Sequence, residues 1–488
     1  MGPNAVAQQS TSAQNQTPTA NPVDQAVSSI KESLSTSLTD WAVSHNDVRN
    51  IASTFEGLNA NQSAAVIDEL AKDGTLDTMS AEMSDNFNGL SLDEKAAFFS
   101  DMATKLDGQT LATLSNSFAK ADPKSGGHQD VEALGKAVAT HATVDTKVDF
   151  IEALMPKMTD KPDFSISYIG GSMTQTGDAE ALAVGHVLGS LQNNPAQAEN
   201  IFNQLSTEQL NAVINAGLDQ TSSFSQGGGS VSLDATVAGK VLNTASQIGN
   251  ADLKATIFDA GSAALQHVND DFGFPLATIG QNAAADTLGD GLTRIIDSDT
   301  TGVMRELSYN QQTFDGTAFG TYAKHMLNTD QTDKLGEQMA KLQFGNNLNE
   351  DPVSRFEQTV SLSTGSLRNE NAGALGHFVA GVYNGAASIS SDVKQQQELT
   401  TSVLKSVLTI VDKAKIGGPL VGGAASVGKE WVKYAVNAAI SDPGNDAAKQ
   451  MELAAIPIDP STNEIGIGDA AMSAFNDRIT QTQRLANP

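Results

Sequence analysis

Along most of this chain apolar residues recur three and four positions apart, and polar or glycine-bearing steps break the recurrence at short intervals. Such spacing puts the apolar side chains on one face of an α-helix. Residues 64–79 (AAVIDELAKDGTLDTM), 96–114 (AAFFSDMATKLDGQTLATL) and 198–214 (AENIFNQLSTEQLNAVI) each read as a helix, a short turn and a second, leucine-led helix. That is the unit of an α-hairpin. Phe98 and Met102 in one copy answer Phe202 and Leu205 in another, and all four are expected in the core. Near the N-terminus, TDWAVSHNDVRNIASTFEGL predicts a helix capped by Thr39 or Asp40, with Trp41, Val43, Val48, Ile51 and Phe55 near one face.

A second pattern overlays the first. Small residues, then Gly, then a short apolar turn recur around Gly135 (EALGKAVATH), Gly185 (ALAVGHVLGS), Gly239 (TVAGKVLNTA), Gly320 (TAFGTYAKHM) and Gly376 (GALGHFVAGV). The steps between these glycines are 50, 54, 81 and 56 residues. Periods of this size mark arrays of helical units, each too small to bury its own apolar face. The five glycines are expected at close helix crossings, where a missing side chain lets backbones approach. His186 and His377 fill the position after Gly in two copies, and Lys136 and Lys240 fill it in two others. That exchange points to a partly exposed polar seam rather than a shared active site.

Three stretches interrupt the helical rhythm. Residues 163–178 alternate apolar and polar positions before Gly170 and Gly171, which predicts a short strand or hairpin. Residues 221–234 (TSSFSQGGGSVSLD) are expected as a flexible polar loop. Residues 268–316 read as irregular and account for the 81-residue step. The fold expected is therefore all-α, an array of helical hairpins behind a disordered N-terminal leader. Its parts are a leader at 1–38, an N-terminal helical module at 39–160, central repeats at 161–345, a C-terminal module at 346–441 and a short tail at 442–488.

The leader stands out by what it lacks. Residues 1–23 carry no charge and no aromatic ring; the first acid is Asp24, the first base Lys31 and the first leucine Leu34. A segment this poor in apolar surface cannot offset the entropy of ordering. It has neither a basic nor an apolar signal-peptide region. It is a candidate secretion signal of another kind.

Composition narrows the chemistry. The chain has 488 residues, 39% of them hydrophobic but only 5% aromatic, so Ala, Leu, Val and Ile must build the core. Its net charge of −28 would repel a phosphate backbone and argues against a nucleic-acid partner. It has no cysteine, which removes disulfides, thiolate metal sites and cysteine nucleophiles and fits an exported protein.

No catalytic signature emerges. The seven histidines include no close ligand pair, and no G-x-S-x-G is present. Gly423–Lys429 matches the spacing of a phosphate loop, but Glu430 stands where a Mg²⁺-binding hydroxyl belongs. Residues 459–470 alternate oxygen ligands like a calcium loop, yet lack its Gly and its final Glu, and read as a capped turn. No cofactor and no metal is expected. Residues 402–440 are the most apolar stretch and carry Lys405, Val421, Val427, Lys429 and Trp431 about a Gly-rich hinge. The preferred reading is a buried hairpin closing the array; the alternative is a hairpin that perturbs membranes.

Two resemblances rest on these residues. The leader resembles those of type III secreted proteins of plant-associated bacteria, being rich in Ser, Gln, Asn, Thr and Pro with Pro3 near its start. DWAVSHNDVRNIASTFEGLNANQSAAVIDELAKDGTLDTM resembles a helical module of bacterial polymorphic and contact-delivered toxins, and ALGHFVAGVYNGAAS and the 405–431 stretch resemble the closing helices of such pre-toxin regions. In such proteins a variable toxin domain usually follows, and here only 48 residues follow Ile440. The resemblance implies a secreted effector or toxin-type protein acting by protein binding or delivery. Its partner would be a secretion chaperone, an immunity protein or a target protein. An enzyme built from carboxylates and histidines brought together by the fold is the remaining alternative.

Overall fold

The computed structural model describes residues 21–35, 42–121, 127–158, 178–218, 228–269, 277–309, 317–344 and 366–413, the strand residues 163–167, 172–176 and 220–225, and a few positions beyond 457. The fold is all-α. Among the described residues nineteen helices run in chain order: α1 Pro22–Ser33, α2 His45–Glu56, α3 Ala60–Lys72, α4 Thr75–Ser84, α5 Leu92–Lys105, α6 Gly108–Ala119, α7 Gly127–His141, α8 Val144–Leu154, α9 Ala179–Gly189 and α10 Pro195–Gln204. They continue with α11 Thr207–Ala216, α12 Thr236–Ser246, α13 Ala251–Asn269, α14 Gln281–Ser298, α15 Thr300–Tyr309, α16 Ala318–Asn328, α17 Thr332–Phe344, α18 Ser366–Ile389 and α19 Val393–Lys413.

Local chemistry explains where these helices start. Ser44, Asn59, Ser91 and Ser206 each form a capping box with the side chain three residues on. The turn inside the first hairpin falls at Gly74, whose φ of +80° suits a residue without Cβ. The predicted helix–turn–helix units appear as α3–α4, α5–α6 and α10–α11. Phe98, Met102 and Phe202 are buried; Leu205 is half-buried.

The helices form two rows. Along one, α5, α7, α9, α12 and α14 each lie against the next, and α16 lies on α18. Along the other, α4, α6 and α8 follow each other, as do α11, α13 and α15. Apolar side chains from both rows fill a shared core. Aromatic rings meet at two places in it. Phe55 meets Phe98 and Phe99 meets Phe118 edge to face between α2, α5 and α6, and Phe258, Phe319, Tyr322 and Phe378 meet between α13, α16 and α18.

Strands enter as inserts ahead of three successive helices of the first row. Asp163–Ser167 (β1) pairs antiparallel with Ser172–Thr176 (β2) before α9, as the alternation predicts. Gln220–Ser225 (β3) pairs antiparallel with Gly228–Leu233 (β4) before α12, and Ala277–Ile279 (β5) runs parallel to β4 before α14. The loop expected at 221–234 is thus a hairpin: its serines alternate with Phe224, Val231 and Leu233, a strand pattern hidden by the glycines. Far along the chain, Ile458–Asp459 (β6) pairs with Glu464–Ile465 (β7).

Three other expectations are corrected. The leader drawn to residue 38 is too long, because Pro22–Ser33 form α1, capped by Asn21 and packed on α2 and α3 through Ala26 and Ile30. The helix expected from Thr39 or Asp40 begins at His45, where the Ser44–Asp47 box fixes its start. Val43 and Val48 occupy the two positions of a hydrophobic staple across that cap, and both are buried. The stretch 268–316, expected as irregular, contains α14 and α15. Residues 1–20, the core of the leader, lie outside the described residues.

Candidate functional site

A cleft of about 460 Å³ opens between α2 and α5. The two capping boxes aim these helices, and their side chains then meet across the gap. Arg49 Nε lies 2.6 Å from Glu94 Oε1, and His45 Nε2 lies 3.6 Å from Glu94 Oε2. Ala52, Leu90, Ala97 and Phe98 give the cleft its apolar lining, and Asn46, Asn50 and Ser53 its neutral polar groups. Three carboxylates, Glu56, Glu94 and Asp101, face one guanidinium, Arg49. Asp101 is engaged by Lys105 at 2.8 Å.

Glu94 is the most connected of these acids. The backbone N–H and hydroxyl of Ser91 donate to it at 2.9 and 2.7 Å. These bonds, and then Arg49 and His45, hold its carboxyl below the usual carboxylate range. A carboxylate so well supplied with donors is a poor proton acceptor. Its chemistry is that of a fixed negative charge in a binding surface.

The segment joining α4 to α5 contributes Leu90 to this lining. Asp85 Oδ1 accepts from the backbone N–H groups of Phe87 and Asn88 at 2.9 and 2.7 Å. The N–H of Gly89 reaches the Asp85 carbonyl at 3.0 Å, and that of Leu90 reaches the Met83 carbonyl at 3.1 Å. His45 Nδ1 lies 2.8 Å from the Gly89 carbonyl, which ties the loop to α2. The loop is pinned, Leu90 points into the core, and Phe87 and Leu92 point out, 80% and 81% exposed.

The glycine phrase lies along the first row. A Cβ on Gly135 would sit 2.6 Å from the Cα of Ala183, one on Gly185 3.0 Å from Val237, and one on Gly239 2.6 Å from Thr287. Each partner stands two residues before the next glycine of the series. Gly320 is roomier, with Asn384 at 3.6 Å, and Gly376 is buried within α18. Two further copies escaped the sequence reading. Thr287-Leu288-Gly289-Asp290 places Gly289 against the His325 ring, and Lys334-Leu335-Gly336-Glu337 places Gly336 2.6 Å from Ser406. Gly289 falls 50 residues after Gly239, so it fills the long step.

The seam histidines differ in their surroundings. His186 Nε2 lies 3.4 Å from Glu132 Oε1, which Lys136 also pairs. Burial alone would push the Glu132 carboxyl up, but the bonds from His186 and Lys136 hold it down at about 2. His377 is buried with its ring 6.4 Å from that of Phe319. The two histidines lie on different helices, α9 and α18. Lys405 is exposed on α19, whereas Val403, Leu404 and Val407 beside it are buried. Val421, Val427, Lys429 and Trp431 lie outside the described residues.

Two buried polar clusters serve the fold. Lys95 Nζ lies 2.9 Å from Asp130, which also accepts from the Ser84 hydroxyl at 2.6 Å, joining α4, α5 and α7. Burial pushes the Asp130 carboxyl up, and Lys95 and Ser84 offset this only in part. The Tyr322 hydroxyl lies 3.0 Å from Thr293 Oγ1 and accepts from Gln338 Nε2 at 2.9 Å, and burial drives its ionisation far above the ordinary tyrosine range. Among the described residues no group of three His, Asp or Glu side chains is arranged to hold a metal ion. No helix among them is long and apolar enough to cross a membrane. No protein-family model matches the chain, and no curated protein is similar enough in sequence to count as a relative.

Proposed function

We propose that this chain is a bacterial secreted effector or toxin-type protein whose helical body acts by binding or delivering a protein partner. The observation that carries the binding half is the pinned segment before α5, where Phe87 and Leu92 are large apolar side chains exposed to solvent. Exposed large apolar side chains held in one place are the usual mark of a contact surface. The charge-free first 23 residues support the export half. The membrane reading of 402–440 draws no support from Val403, Leu404 and Val407, which are buried.

Two experiments test this. Deleting residues 2–25 should abolish export and leave the body folded by circular dichroism; unchanged export would sink the leader reading. A photo-reactive phenylalanine analogue at position 92 should yield a discrete crosslinked species in cells receiving the protein, while the same analogue at Glu208 should not. Leakage of dye-loaded vesicles with no crosslink at position 92 would replace the proposal with the membrane alternative.

A further inference from the structure

We infer that the contact between α14 and α16 is an acid-labile joint: a proton taken up by the His325 ring parts the two helices at their Asp286 end, while the Thr293–Tyr322 end holds them as a pivot.

This joint breaks the pattern of its row. Gly135, Gly185 and Gly239 close on Ala183, Val237 and Thr287, each two places before the next glycine of the series. Gly289 closes instead on the ring of His325, which lies beyond Gly320 in the chain. A titratable group thus stands where the other three junctions carry Ala, Val or Thr. A Cβ on Gly289 would collide with the ring, so the ring takes up the space that the missing side chain leaves.

His325 is buried, and its Nε2 has no hydrogen-bond partner among the described residues. Asp286 Oδ1 stands 3.7 Å from that nitrogen, beyond hydrogen-bond reach. Asp286 and Asp290 are the charged groups that act on the ring, and both belong to α14. Among the described residues α13, α17 and α18, which also pack on α16, add none. A neutral ring leaves one nitrogen orphaned. A protonated ring is a buried cation without a bonded counter-charge, a cost that only water or a closer Asp286 can offset. Either remedy draws His325 off Gly289, and with it α16 off that end of α14.

The other end of the contact is fastened by groups that acid leaves alone. One turn along α14, Thr293 Oγ1 donates to the Gly289 carbonyl at 2.8 Å and lies 3.0 Å from the hydroxyl of Tyr322, one turn back along α16. Gln338 of α17 donates to that hydroxyl at 2.9 Å and to Asp297 Oδ1 at 3.2 Å. Thr293 and Gln338 do not titrate, and burial keeps Tyr322 protonated. The contact therefore joins a proton-sensitive lip to an insensitive hinge.

Hydrogen–deuterium exchange of the full chain, read by mass spectrometry and corrected for the pH dependence of intrinsic exchange, tests this. Between pH 7.5 and 5, residues 281–290 and 324–330 should exchange roughly tenfold faster, while 292–298, 318–323 and the histidine-free α10–α11 hairpin stay protected. His325→Gln should abolish the gain. Asp286→Asn removes a charge that favours the proton and should move its onset to lower pH. A gain that survives His325→Gln, an onset that stays fixed or rises in Asp286→Asn, an equal gain at the pivot or in the α10–α11 hairpin, or no gain at all would each overturn the joint. Should His325→Gln fail to fold, the direction of the Asp286→Asn shift decides alone.

Discussion

Gly135 and Ala183 meet so closely that a methyl group on the first would lie 2.6 Å from the Cα of the second. That distance is inside any real carbon–carbon contact, so α7 and α9 would have to part to admit a side chain. Gly135→Val should destabilise the protein by about 2–3 kcal/mol through overpacking and backbone displacement. Gly320→Ala, whose new methyl would meet Asn384 at an ordinary 3.6 Å, should be neutral or stabilise by up to ~1 kcal/mol, since Ala suits a helix interior better. Urea unfolding of both variants checks this; equal losses would mean the seam is not sterically closed at Gly135.

Glu132 makes stability depend on acid. Its carboxyl is held at about 2 in the folded chain against 4.5 ordinarily, so the folded form keeps the charge that the unfolded form gives up. The contribution is present in full above about pH 4.5 and is lost as pH falls towards 2. Its size is on the order of 2–3 kcal/mol. Glu132→Gln should flatten the stability curve in that window while leaving its shape above pH 6 unchanged. A curve parallel to wild type throughout would remove Glu132 from this role.

His325 acts in a higher window. It is 5% exposed, its Nε2 has no hydrogen-bond partner among the described residues, and Asp286 Oδ1 lies 3.7 Å away. Burial lowers its proton affinity below the ordinary 6.5, and Asp286 and Asp290 restore part of it. The unfolded chain takes up the proton first, so stability falls as pH drops below about 6.5. Urea midpoints at pH 8 and 5.5 should differ less in His325→Gln than in wild type; an unchanged difference counts against the assignment.

Lys254 is a buried charge with weak compensation. It is 4% exposed on α13, and burial lowers its proton affinity while Asp299 and Glu199 offset this in part. Replacing such a charge by an apolar side chain of similar length removes the desolvation cost. Lys254→Met should raise stability by about 1–2 kcal/mol, read as a higher melting temperature by calorimetry. A lower melting temperature would mean that the ammonium makes a net favourable contribution.

Helices with clean periodicity were legible in the sequence, and the hairpins α3–α4, α5–α6 and α10–α11 follow directly from it. Other features hid for identifiable reasons. The Gly289 copy sits among Asp286, Asp290 and Gly291, so its apolar turn looks like a polar loop. The α1 helix has only Ala26 and Ile30 fully buried, too little periodicity to separate it from the charge-free leader. The exposure of Phe87 was missed because it looks like any core phenylalanine. The signal was beside it: Asp85, Asn88 and Gly89 are turn formers, and a phenylalanine amid them belongs to a loop rather than a helix face. The cleft itself depends on two caps 47 residues apart, Ser44 and Ser91, and no local pattern links them.

The regular offset between each seam glycine and its partner also bears on ancestry. Ala183, Val237 and Thr287 all stand two places before the next glycine. A gene that lost or duplicated the stretch from one glycine to the next would still present a residue at that same place to the glycine before it. The helix junctions thus set no limit on the number of units, whereas the strand inserts do couple neighbours, since β5 ahead of α14 pairs with β4 ahead of α12.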